Sequence, residues 1–223
     1  MTTKTTTTSL LPPPGQVVIS DPKIQLPLPD LKYGYREEPL TWSELTMFIH
    51  QQPPDLARLT RSKRSQTTYQ IFNYHMKQQY VSSTDYILIS KFDFDAVAVP
   101  APDAVGDSGD DRQNQVDDGT TTTDCRRRRR WRAQPSLEET TETRSILIEN
   151  DFPYHFDDGI KHFILWKLKG DGISEQEIQE SKQQLQTKFK TTSTLHWRNP
   201  PSLRSILAID HVHILCRLPK TES

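Results

Sequence analysis

Residues 209–218, with the sequence IDHVHILCRL, constrain the fold more than any other part of this chain. The run is aliphatic and β-branched, which predicts a strand, and side chains of a strand alternate between two faces. Val212, Ile214, Cys216 and Leu218 then form an apolar face suited to a core. His211, His213, Leu215 and Arg217 take the other face, which the pattern predicts to be open. Residues two apart on a strand lie about 6–7 Å apart. Two imidazoles and a guanidinium at that spacing point to an anion, a metal or a proton-transfer site, because histidine changes charge near neutral pH.

A strand needs partners, and composition limits where they come from. Of 223 residues only 33% are hydrophobic, 26% are charged and 16 are proline, with a mean hydropathy of −0.72. Such a chain fills a core of only about 140–150 residues, a usual domain size, and leaves the rest unpacked. The formal net charge of −1 gives no overall field toward nucleic acid or membrane. Cys125 lies among polar residues and arginines and Cys216 on the apolar strand face, so a disulfide is not expected and a reducing compartment fits. The first residues, MTTKT, lack an apolar signal core, and no apolar run reaches the roughly 18–20 residues that span a bilayer. The expectation is a cytoplasmic protein, with nuclear entry open through the arginine run described below.

Along the chain, residues 1–30 are rich in threonine and proline and read as a disordered leader. Residues 31–95 and 144–219 are expected to form one α+β domain, with residues 96–143 as a disordered acidic and arginine-rich insertion. Thr41-Trp42-Ser43-Glu44 has the spacing of a capping box and opens a helix ended by Pro53-Pro54. A short helix is expected over 55–59 and a longer one over 66–79, where Tyr69, Phe72, Met76 and Tyr80 recur at helical spacing. Strands are expected at 85–92, 144–150, 162–168 and 210–218, in a small, mainly antiparallel sheet. Ser174-Glu175-Gln176-Glu177 repeats the capping-box pattern and starts a helix to about Lys190, crossing that sheet.

Each candidate site has a plain structural alternative. On the His strand, His213 and His211 are the catalytic candidates, with Arg217 and Arg204 as anion clamps; partly exposed sheet histidines are the alternative. A metal would need a third ligand from His162, His155 or Asp157, and no tight ligand spacing such as His-Glu-x-x-His is present, so no metal and no cofactor is assigned. The turn after Phe152-Pro153-Tyr154 brings His155, Asp157, Asp158, Lys161 and His162 between two strands, though Pro153 and Gly159 are ordinary turn formers. Trp197, Asn199 and Arg204 lie in a Pro-rich loop that suits a phosphate or sugar ring; Trp197 tucked into the core is the alternative. The arginines at 126–130, with Arg132, could serve nuclear import, nucleic acid or a protein partner, but acidic residues at 103–118 can neutralise them as a solvated segment. Arg58, Arg61, Lys63 and Arg64 read as a solvated face that could form one wall of an anion site. There is no phosphate-binding Gly-x4-Gly-Lys loop, dinucleotide Gly-x-Gly-x-x-Gly fingerprint, Gly-x-Ser-x-Gly elbow or Cys-x-x-Cys pair.

Several of these blocks together resemble a mostly fungal family of unknown function whose named member is the N-acetylglucosamine-induced protein. The residues are Trp42-Ser43-Glu44-Leu45, Leu59-Thr60-Arg61-Ser62, Phe152-Pro153-Tyr154, His162-Phe163-Ile164-Leu165-Trp166, Asn199-Pro200-Pro201 and His211-Val212-His213. A more distant similarity is to histidine-triad hydrolases and transferases. Asn150-Asp151-Phe152-Pro153, the strand led by His162, a helix and the pair His211 and His213 match elements of that pattern, while Leu215 stands at the third triad position. The resemblances imply an amino-sugar-linked protein that binds, and if catalytic hydrolyses or transfers, a phosphorylated or nucleotide-linked sugar through His213, His211, His162, Asn199, Trp197, Arg204 and Arg217. The rival expectation is a non-catalytic regulatory or interaction protein of the amino-sugar response. Nucleic acid and membrane are not expected as partners.

Overall fold

The computed structural model describes residues 14–19, 34–101 and 129–219. The described residues group into two compact units, one of residues 14–18, 76–101 and 129–138 and one of residues 19, 34–75 and 139–219. The α+β class holds: the described residues carry four α-helices and two antiparallel sheets.

In the larger unit the expected strands pair as neighbours. Strands β3 (Arg144–Glu149), β4 (Ile160–Leu168) and β6 (Asp210–Arg217) are joined by β5 (Thr194–Trp197), a short strand the sequence did not single out, in the order β3-β4-β6-β5. All adjacent pairs are antiparallel. The last strand of the chain therefore inserts between β4 and β5 and ends up central. Helix α4 (Glu175–Phe189) connects β4 to β5 and starts from a complete capping box between Ser174 and Glu177. Glu177 also accepts from Lys167 at 2.8 Å and Ser145 at 2.6 Å, which ties the start of the helix to β3 and β4.

Each sheet face meets a different layer. Ile178 and Leu185 of α4 pack with Phe163, Leu165, Val212, Ile214 and Cys216 on one face. On the other, helix α1 (Trp42–His50), capped by Thr41 and Glu44 as its sequence predicts, sends Leu45, Phe48 and Ile49 against Leu195, Trp197 and Leu215. Residue 40 adds a bridge to the turn before β4: Leu40 donates to the His155 carbonyl at 2.8 Å and its carbonyl accepts from Asp157 at 3.0 Å. A central strand covered on both sides has no open face. The expectation that His211 and His213 look into solvent is corrected: both are buried, His211 against Trp166 and His213 against Trp197 and Tyr154.

After β4 the chain reverses through residues 169–172, with Gly172 at φ +86°. A Cβ there would stand 3.1 Å from Oδ2 of Asp210, which already accepts from the Ile173 N–H at 2.9 Å and from Arg198 at 2.6 Å. Gly172→Ala combines a left-handed backbone with that contact, and a loss of about 1–3 kcal/mol is expected. Urea titration of the variant measures it; an unchanged midpoint would show that the clasp around Asp210 carries no strain on substitution.

The smaller unit corrects two expectations. Residues 83–92 form helix α3 (Ser83–Phe92), not a strand. The Ser82 hydroxyl caps it by accepting from Asp85 N at 3.0 Å, and Asp93 ends it in the left-handed region. Tyr86, Ile87, Leu88, Ile89 and Phe92 are all buried, so the helix is apolar on nearly every side and shows no helical stripe to read. The expected insertion at 96–143 is ordered at both ends: β1 (Asp95–Pro100) pairs antiparallel with β2 (Arg129–Gln134). Arg129, Arg130 and Arg132 thus belong to a strand, while 126–128 and the acidic stretch 103–118 lie outside the described residues, as does most of the leader 1–30. The remaining helix, α2 (Lys63–Gln79), starts three residues earlier than its apolar pattern suggested, after Ser62, whose hydroxyl accepts from Ser65 N at 3.2 Å.

Candidate functional site

Register fixes the site. On the β4–β6 ladder Ile164 lies opposite His213 and His162 opposite Leu215, and on the β5–β6 ladder Trp197 lies opposite His213. His162, His213 and Trp197 therefore share the face covered by α1. His162 is 2% exposed, His211 4% and His213 6%.

The buried polar atoms there are linked end to end. The backbone N–H of Phe152 donates to Oδ1 of Asn150 at 3.0 Å. Nδ2 of Asn150 lies 3.2 Å from Nδ1 of His162, Nε2 of His162 lies 3.0 Å from Nδ1 of His213, and Nε2 of His213 lies 3.1 Å from Nδ2 of Asn199. The indole N–H of Trp197 closes the series by donating to Oδ1 of Asn199 at 3.0 Å. Aromatic rings wall it. Trp197 stacks on His213 at 4.9 Å and 8°, and Tyr154 lies 5.4 Å from His162 and 6.1 Å from His213.

Burial in this setting disfavours a positive ring. It pushes His162 down to about 3, with the charge of Arg61 acting in the same direction. His213 falls well below its usual value through burial, then the neighbouring His162 and His211, then Arg61 and Arg204. His211 is also lowered, mainly by burial; it lies 4.7 Å from Trp166 and its Nδ1–H donates to the Ile209 carbonyl at 3.1 Å. All three rings are neutral near pH 7.

Of the residues picked out by sequence, His162, His213, Asn199 and Trp197 converge. His211 adjoins them, 5.6 Å from His213. Arg204 supports the array from behind: its Nε–H donates to the Asn199 carbonyl at 2.7 Å and its head lies 3.8 Å from Asp210. Arg217 stands apart, exposed at the end of β6, beyond Leu215. Cys216 is buried on the opposite sheet face, with its thiol pushed by burial up to about 11, and Cys125 lies outside the described residues. Among the described residues no group of three His, Cys, Asp or Glu side chains could hold a metal ion. No described helix is long and apolar enough to cross a membrane.

Two contributors carried little signal in the sequence. Asn150 was legible only within the Asn-Asp-Phe-Pro block. Arg61 read as part of a solvated face, yet its guanidinium carbon sits 4.1 Å from the Tyr69 ring centre and 5.2 Å from that of Tyr154. Its Nε–H donates to the Phe152 carbonyl at 3.0 Å, and Nη1 lies 3.4 Å from Oε1 of Gln66. Among the described residues no carboxylate lies within ion-pairing distance of Arg61.

A family described as a protein of unknown function, DUF3605, matches residues 41–217. The chain belongs to that family. Its span begins at the cap of α1 and ends with β6, so it takes in α1, Arg61 and the full array. No curated protein matches the chain. One solved structure, a crystal structure of HTC1, is similar over 83% of this chain and 86% of its own at 17% identity, with a TM-score of 0.42. So slight a likeness bears on neither fold nor activity.

Proposed function

We propose that this member of the family binds the phosphate of a phosphorylated or nucleotide-linked amino sugar, without turning it over, and that Arg61 is the anchoring residue. The observation that carries the reading is the state of Arg61. Burial lowers its affinity for a proton, its neighbours are tyrosine rings, a carbonyl and an amide, and no described carboxylate balances it. A partly buried guanidinium in that position costs free energy that a bound oxyanion offsets through charge-assisted hydrogen bonds. Its place favours an anion as well: it directly precedes Ser62 and the N-terminal, positive end of α2, where Lys63 and Arg64 are exposed.

The array beneath argues for binding over hydrolysis. His213 has both ring nitrogens engaged, lies flat against Trp197 and is buried, which suits a positioning residue and leaves no lone pair for attack. Arg61, rather than Arg217 or Arg204, is the clamp in this reading. The resemblance to the N-acetylglucosamine-induced protein supports an amino sugar as the organic part of the ligand, and a sensing role in that response follows from binding without turnover.

Calorimetric titration with UDP-N-acetylglucosamine, N-acetylglucosamine 6-phosphate and N-acetylglucosamine tests this. The two phosphorylated compounds should bind and the plain sugar should not. Arg61→Met keeps the side-chain stem between the tyrosines and should weaken binding about 10- to 100-fold, the worth of one or two charge-assisted hydrogen bonds. Equal affinity for the unphosphorylated sugar, or undiminished binding by Arg61→Met, would end the proposal.

A further inference from the structure

The buried series has two ends of the same kind. Phe152 N–H and Trp197 Nε1–H are donors only, and each meets an asparagine oxygen. Between them stand Asn150, His162, His213 and Asn199, and each neutral member offers one donor and one acceptor along the line. Starting from either end, every hydrogen bond runs in the same direction as the one before. Arriving at the far end, two N–H groups face each other. The count is the same for either orientation of either amide and either tautomer of either ring, and protonating a ring adds a further donor. Only an acceptor-only group, or an oxygen with two lone pairs placed at one contact, completes the series.

We infer that this surplus hydrogen sits on Nδ1 of His162, facing the amide of Asn150, and that an anionic oxygen held by Arg61 accepts it. This rests on the phosphate-binding role given to Arg61 above. The Asn199 end is the firmer one: Asn199 is buried, its side-chain oxygen takes the indole N–H of Trp197, and its backbone carbonyl is held by Arg204. That fixes the direction as Trp197 to Asn199 to His213 to His162. The Asn150 end is looser. Asn150 is only half-buried, and its 3.2 Å contact with His162 is the longest of the three that involve a ring. Arg61 approaches at this end, since its Nε–H is bound to the carbonyl of Phe152, whose own N–H holds Asn150. An oxyanion there accepts from His162 Nδ1–H, Asn150 Nδ2–H and the guanidinium together. Trp197, on the far side of His213, then becomes a positioning residue for a ligand it does not touch: it sets the direction in which every hydrogen in the array points.

The test is Trp197→Phe in the full chain. It keeps an aromatic ring against His213 and changes no charge, but removes one donor-only end. The Asn199 amide can then turn its oxygen to His213, and the array reverses. Nitrogen-15 NMR of the imidazoles should report His162 as the Nδ1–H tautomer in the wild type and as Nε2–H in the variant. Inorganic phosphate and N-acetylglucosamine 6-phosphate should each bind the variant at least tenfold more weakly. Should Trp197→Phe be too unstable to measure, the wild-type tautomer decides alone: Nε2–H on His162 overturns the inference. Wild-type affinity in Trp197→Phe, with binding lost in Arg61→Met, overturns this inference and leaves the role of Arg61 standing. Absence of phosphate binding by the wild type overturns both.

Discussion

Acidification from pH 7 to pH 4 is expected to remove about 3 kcal/mol of folding stability through His162 alone, at about 1.4 kcal/mol for each pH unit over which only the unfolded chain holds the proton. The sign follows from where the ring titrates. His162 takes up a proton near pH 6.5 in the unfolded chain but only near about 3 when folded. Its contribution is therefore complete above pH 6.5 and is lost as the pH falls toward 3, because the unfolded state binds the proton and the folded state refuses it. His213, lowered for the same reason and further by its partner, adds to the loss, and His211 and His196 move in the same direction. Against a typical total of about 5–15 kcal/mol, the domain should lose much of its stability well before its carboxylates titrate. Urea unfolding at each half pH unit between 7 and 4 reads the slope, and His162→Gln should flatten it by up to about 1.4 kcal/mol per pH unit. A stability that stays level from pH 7 to pH 5 would mean that the rings reach water and the array is not closed.

Trp197→Ala is expected to cost about 3–5 kcal/mol, the range for removing a buried large aromatic side chain. The indole joins the core formed with α1, stacks on His213 and holds Asn199 through its N–H. Its loss opens a cavity and also strips a donor from a buried amide, which adds a desolvation cost. Met47→Ala on the exposed side of α1, where the side chain is 56% exposed, is the control and should change stability by less than about 0.5 kcal/mol. Denaturant midpoints for both variants measure the contrast. A loss below about 1 kcal/mol for Trp197→Ala would show that the face carrying the histidines is loosely covered.

The strand at 210–217 and its alternation were legible in the sequence because they depend on period alone: a strand places Val212, Ile214 and Cys216 on one side and His211, His213 and Leu215 on the other wherever it is put. The two capping boxes were legible for a similar reason, as each is complete within four residues. Helix α3 was not, since burial on nearly every side erases the stripe that distinguishes a helix from an apolar strand, although Ser82 and Asp85 mark its start.

What the chain's sequence could not state is what lies above a sheet face. Alternation divides side chains into two sets but does not say which set meets water. That was decided when β6 entered between β4 and β5 and Tyr154 and Trp197 packed against His162 and His213. The same packing placed Arg61 beside Phe152 and Tyr154, some 90 residues away along the chain. Local pattern sets which residues can share a face, because the backbone period is short-ranged. Burial, hydrogen-bond direction and the balance of a charge depend on neighbours brought from far along the chain, and only tertiary structure supplies those.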